Sequence, residues 1–157
     1  MKEISLTAIG HIETNDNKVV IKLHRDFVSG LKNLESFSHV NVIWWFDKCN
    51  NSKSRSTKEV YSPYKNAPEK MGVFATRSPE RPNPIATTVA EIIHIDHEAG
   101  TILISFIDAN NDSPVLDLKP YTPSLDRIEH PKVPSWCSNW PKSLEESADF
   151  EWSQVFN

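Results

Sequence analysis

Short segments of alternating apolar and polar residues, separated by turn-forming clusters, dominate the chain. Ile4 to Ile12 alternates in part and predicts a first strand, and Lys18 to Leu23 (KVVIKL) predicts a second after a turn at Asn15-Asp16-Asn17. His39 to Phe46 (HVNVIWWF) concentrates β-branched and aromatic residues and predicts a buried strand. Four more strands are expected at Met71 to Thr76, Ile85 to Asp96, Thr101 to Ile107 and Pro114 to Leu118, with turns at 97–100 and 108–113. Phe27, Leu31 and Leu34 fall at helical spacing and predict a short helix within Arg25 to Phe37. Asp47 to Lys70 has no apolar period and predicts a long loop, the kind that is usually functional or disordered.

The C-terminal pattern differs. Ser143 and Glu146 have capping-box spacing just after Pro141. Leu144, Ala148, Trp152, Val155 and Phe156 then share one helical face, which predicts an amphipathic helix. Pro131 to Trp140, carrying Trp136 and Trp140, predicts an extended strap. The expected fold is therefore mainly β. It is a small β-barrel-like single domain with short helices, a long loop and a C-terminal helix, since closure removes exposed strand edges. The barrel is expected over residues 1–128. The strap and helix over 129–157 would pack on it or on a partner subunit. The absence of βαβ alternation, GxGxxG and P-loop patterns disfavours a Rossmann-type domain.

Composition adds little until charge is resolved along the chain. The net charge of -4 argues against a generic nucleic-acid binder. Yet between Lys48 and Arg81 eight bases face three acids, whereas from Asp96 onward eleven acids face four bases. A cationic segment in an acidic protein suits an anionic ligand or a short RNA contact. The longest apolar run, Val42 to Phe46, is too short to cross a bilayer. No apolar leader opens the chain, so a cytoplasmic location is expected. Cys49 and Cys137 have no metal-type spacing and are expected to be free thiols. The six histidines are scattered without paired ligand spacing, so no metal is expected.

Gly72-Val73-Phe74-Ala75-Thr76-Arg77-Ser78-Pro79-Glu80-Arg81-Pro82-Asn83-Pro84-Ile85 is the most distinctive stretch. Ser78, Arg81 and Asn83 each precede a proline, which fixes its own φ and pushes its neighbour toward extended geometry. The result is a stiff, polar, cationic loop suited to clamping a ligand. A second unusual stretch runs from Asp108 to Tyr121. It turns and enters a strand where period two puts Asp117, Lys119 and Tyr121 on one face.

These two blocks, with Gly30-Leu31 and Glu35 to Val40 upstream, resemble the TsaA/YaeB family, also called TrmO. The resemblance implies a methyltransferase that uses S-adenosylmethionine (SAM) on a small β-barrel and works as a homodimer. Its acceptor would be N6 of the threonylcarbamoylated adenosine beside the tRNA anticodon; the alternatives are a small-molecule methyl acceptor or a SAM-binding module without catalysis. It places cofactor contacts at Asp47, Lys48, Phe74, Thr76, Arg77, Thr87, Asn111, Asp112, Ser113 and Pro114. Arg77 suits the cofactor carboxylate, because guanidinium binds carboxylates bidentately. Arg81, Asn83, Lys119 and Tyr121 become candidates for RNA, Tyr61 or Tyr64 for stacking on a flipped base, and Asp47 or Asp108 for the general base. The chain departs from the family pattern at Glu13 to Asn17, at Asp47-Lys48, at Ala86 and at Asn111-Asp112-Ser113-Pro114.

Overall fold

A computed structural model describes residues 3–15 and 18–157. Six strands close a barrel in the order β1-β2-β7-β6-β3-β8. These are β1 (Gly10–Asn15), β2 (Lys18–Leu23), β3 (His39–Trp45), β6 (Ile85–Asp96), β7 (Thr101–Ile104) and β8 (Pro114–Pro120). A separate two-stranded sheet pairs β4 (Glu59–Tyr61) with β5 (Lys70–Gly72). Every neighbouring pair in the barrel is antiparallel.

Alternation puts one face of each strand inside. In β3, Val40, Val42 and Trp44 are buried while His39, Asn41, Ile43 and Trp45 are only half-buried. They meet Ile12, Ile21, Ile102, Ile104 and Val115 in the barrel interior. The twelve-residue β6 serves two neighbours. Its first half pairs with β3 and its second half with β7, with a register shift between Ile92 and His94. A bulge of this kind bends a strand and lets a small sheet close. Two glycines are set by close approach. A Cβ on Gly10 would overlap the Lys22 carbonyl of the adjoining strand, and Gly100 has φ +69 against the Val28 side chain.

Several expected elements have different limits. The first strand begins at Gly10, not Ile4; Ile4 and Leu6 are exposed and unpaired with the sheet. The turn expected at 15–17 includes Asp16 and Asn17, which lie outside the described residues. The helix expected within 25–37 is two 3-10 segments, Arg25–Leu31 and Leu34–Ser36, split where Asn33 takes a left-handed φ of 70. The loop at 47–70 contains a 3-10 turn at Asp47–Cys49, the short helix α1 (Ser52–Arg55) and β4. The strand expected at 71–76 ends at Gly72 and becomes a 3-10 turn at Val73–Ala75.

Two further helices are short. One is α2 (Pro123–Asp126) and the other α3 (Leu144–Ala148). The Ser143 side chain caps α3 by accepting from Glu146 N, and the Glu146 carboxylate accepts from Lys142 N rather than from the cap itself. The amphipathic face expected to run on to Phe156 breaks at 149–151, and a 3-10 turn at Trp152–Gln154 follows. None of the described helices is long and apolar enough to cross a membrane.

Candidate active site

One end of the barrel gathers the chemistry. There β3 exits into Phe46, the proline-rich loop enters β6 at Ile85, and the 108–113 turn enters β8 at Pro114. Phe46 N donates to Pro84 O at 2.8 Å, tying the first two together. Above this end lies a cleft of about 900 Å³, lined by Trp44 and Phe46, by Phe74, Thr76, Arg77 and Arg81 of the loop, by Thr87 and Thr88 of β6, and by Asp108. Tyr64, Trp140, Trp152 and Phe156 complete the wall. Trp44 is fixed by donating Nε1–H to Thr88 Oγ1 at 3.1 Å and by edge contact with Phe46.

The two arginines of the loop have different jobs. Arg81 is half-buried and turned inward. Its Nε donates to Ser78 O at 2.8 Å, and its Nη2 donates to Val73 O at 3.1 Å and Thr76 O at 2.6 Å. It therefore holds the loop to itself. Arg77 is exposed and reaches across to β6, where Nη2 donates to Thr87 O at 2.8 Å and Thr87 Oγ1 at 3.2 Å. Its Nε and Nη1 have no protein partner among the described residues and remain available to an anion. Thr76 is buried; its Oγ1 donates to Val73 O and accepts from Ser78 N. Phe74 is 84% exposed, a large ring held out of the core at the cleft.

Other expected site residues form a second group beside the cleft. Lys48 Nζ donates to Asn110 Oδ1 at 3.0 Å, and Asn111 Oδ1 accepts from Thr14 N at 2.9 Å. Asn111 Nδ2 also donates to Asp112, which has φ 65, and Ser113 is buried against β1. Thr14 and Lys48 thus each contact the 110–113 turn, at neighbouring residues. Asp47 is exposed at the start of its 3-10 turn and does not line the cleft.

Asn83 is exposed on the loop outside the cleft. Lys119 near the far end of β8 and Tyr121 just past it lie elsewhere, roughly 20 Å along a seven-residue strand. There Lys119 pairs with Asp117 at 2.6 Å and Tyr121 meets His39 edge-on. Tyr61 is exposed under Lys70.

Both cysteines are free thiols, and burial beside Glu80 pushes the Cys49 thiol up. Among the described residues no three His, Cys, Asp or Glu side chains gather as a metal site would require.

Residues 9–127 match the family of the tRNA-methyltransferase O N-terminal domain. The chain belongs to the TrmO family. A S-adenosyl-L-methionine-binding protein of Archaeoglobus fulgidus is 38% identical over 108 residues, covering 69% of this chain and 72% of its own length. The human tRNA (adenine(37)-N6)-methyltransferase is 40% identical over 104 residues, covering 66% of this chain. The chain spans only 22% of that human protein, and 29% of a second Archaeoglobus relative that is named a probable S-adenosyl-L-methionine-binding protein. The crystal structure of TrmO from Pseudomonas aeruginosa superposes with a TM-score of 0.63 at 27% identity, over 83% of this chain and 62% of that one. The family match ends at residue 127, so Trp140, Trp152 and Phe156 join the cleft from outside the matched residues. Their signals in the sequence are the density of aromatic residues after Pro131 and the helical spacing of Trp152 and Phe156, neither of which points to the cleft.

Proposed function

We propose that the chain transfers a methyl group from SAM to N6 of an adenine in tRNA, the threonylcarbamoylated adenosine beside the anticodon. The observation that carries this reading is the gathering of Phe74, Thr76, Arg77, Thr87 and Asp108 around one cleft. Its volume suits a nucleoside with an amino-acid tail. Bound SAM would supply a methyl group already activated by its sulfonium. Arg77, oriented by Thr87, would hold the tail carboxylate with its free N–H groups. Phe74 and Phe46, beside Arg77, would accept the cationic sulfonium and flat adenine of SAM. The stiff loop fixes these groups before the ligand arrives, which lowers the ordering cost of binding. Asp108, which lines the cleft, would take the N6 proton from a nitrogen that its carbamoyl group makes a poor nucleophile.

The test is direct. The protein with SAM and substrate tRNA should yield N6-methylated threonylcarbamoyladenosine by nucleoside mass spectrometry. Arg77→Ala should bind SAM about 100-fold more weakly by calorimetry, the loss of charge-assisted hydrogen bonds. Equal SAM affinity in wild type and Arg77→Ala would sink the assignment of Arg77. A second reading, SAM binding without turnover, is favoured by the names of the relatives that the chain spans most fully; bound SAM without methylated product would support it.

A cytoplasmic homodimer accompanies the main reading. Large apolar side chains stand exposed at Ile93, Phe106, Leu125 and Ile128, as a second copy would require. Light scattering should then give about twice the 17.9 kDa chain mass; the single-chain mass would overturn it.

A further inference from the structure

We infer that the C-terminal strap forms the seat for the acceptor base, with Trp140, Trp152 and Phe156 stacking on a purine swung out of the tRNA loop. The inference rests on the methyl-transfer reading and adds the part of the chain that selects the acceptor. The strap contributes little to the core. Helix α3 and the 152–154 turn bury no residue, and only Cys137 and Val155 along the strap are buried. Its rings are instead held in an ordered cluster. Tyr64 lies parallel to Trp136 at 5.3 Å, and Trp140 meets Tyr64, Trp136 and Trp152 edge-on at 5.3 to 5.5 Å. Trp152 Nε1 donates to Ser147 O, which fixes the indole.

The cluster is anchored to the 59–70 region. Lys65 N donates to Val155 O at 2.9 Å, Tyr64 and Phe156 form a β-bridge, and Asn157 Nδ2 donates to Ser62 O at 2.7 Å. Trp140, Trp152 and Phe156 reach the cleft as a fixed, partly open aromatic wall, with Phe156 49% exposed.

Charge decides which part of an RNA meets this wall. Residues 129–157 carry five acids and two bases, so phosphates avoid the strap. The cationic stretch from Lys48 to Arg81 contributes Val60, Pro63 and Tyr64 to the same cleft, and its exposed Lys53, Lys58 and Lys65 would take the backbone. The neutral, planar part of a nucleotide is left for the strap, and base–aromatic stacking is how proteins hold bases without regard to charge. Arg77 and Phe74, in the loop that lies within the family match, serve the cofactor that members share. The wall outside the match serves the acceptor.

The test uses the full chain and an anticodon stem-loop RNA carrying threonylcarbamoyladenosine, beside the same RNA with that base removed. Trp140→Leu with Trp152→Leu should raise the KM for the stem-loop about tenfold per ring. SAM affinity should hold, and the double Phe variant, which keeps flat rings, should stay near wild type. The abasic RNA should bind wild type and the Leu variant alike. An unchanged stem-loop KM in the Leu variant overturns the inference. A fall in SAM affinity with unchanged RNA binding also overturns it, since the wall then holds the cofactor's own adenine. A Phe variant that stays folded by circular dichroism yet loses RNA affinity as fully as the Leu variant assigns the indoles a role other than stacking. Failure of the wild type to bind SAM removes the methyl-transfer reading alone; the comparison with abasic RNA still decides the wall.

Discussion

Arg81→Ala is expected to disable the protein without removing any ligand contact. The Arg81 guanidinium donates to three backbone carbonyls, of Val73, Thr76 and Ser78, and is the clasp of the loop that carries Phe74, Thr76 and Arg77. Truncation leaves those carbonyls without their cationic donor in a part-buried site, and hydrogen bonds to charged groups contribute about 1.5–3 kcal/mol each. Allowing for water entering the gap, a loss of about 3 kcal/mol in stability is expected. The three prolines keep the loop extended, but they do not set the turn between Val73 and Ser78. SAM affinity should therefore fall at least as far as in Arg77→Ala. Arg81→Lys should not rescue it, because an ammonium is a compact point charge and lacks the planar fork that reaches separate carbonyls. Urea unfolding and limited proteolysis between Thr76 and Pro84 are the checks. An Arg81→Ala protein of wild-type stability that loses only RNA binding would return Arg81 to the role of an RNA contact.

The two arginines mark where sequence reading stops. Both stand in one motif and both are cationic, though only Arg81 adjoins a proline; nothing in the string of residues says which turns inward. Direction depends on the 3-10 turn at Val73–Ala75, which aims the Val73 and Thr76 carbonyls at Arg81. The barrel was more legible, because period-two burial is local. β2 and β6 carry the limits that alternation and their flanking turns predict. The limits of β1 were not legible, since Ile4 and Leu6 continue the alternation while lying outside the sheet.

The 47–70 segment was hardest. Its β4–β5 pairing is only three residues a side and depends on Met71 and Val73 being buried beneath it. The contact between Lys48 and Asn110 spans 62 positions and joins two turns, so no local pattern announces it. The aromatic residues of the strap are visible as a run, and the helical spacing from Leu144 to Phe156 predicts one face. The break after Ala148 redistributes that face: Leu144 stays exposed, while Trp152, Val155 and Phe156 turn to Tyr64 and the cleft.

Asp108→Asn should separate chemistry from binding. Two carboxylates compete for the role of base, and geometry distinguishes them. Asp108 lines the cleft with Arg77 and Thr87, and Asp47 faces outward from its 3-10 turn. A general base acts only as the N6 proton leaves, so its loss lowers kcat and kcat/KM together and leaves cofactor affinity alone. Positioned proton transfer contributes typically 10²–10⁴-fold. A fall of about 100-fold or more in kcat is therefore expected for Asp108→Asn, with SAM affinity unchanged by calorimetry. The amide keeps the size and shape of the side chain, so packing is not the cause of the loss. Asp47→Asn should stay within about twofold of wild type, because an exposed carboxylate with no contact in the cleft takes no proton from the acceptor. The reverse ranking, with Asp47→Asn inactive and Asp108→Asn active, would move the base into the Lys48–Asn110 turn cluster. The acceptor nitrogen would then have to approach from that side of the barrel end, and the cleft would hold the cofactor alone.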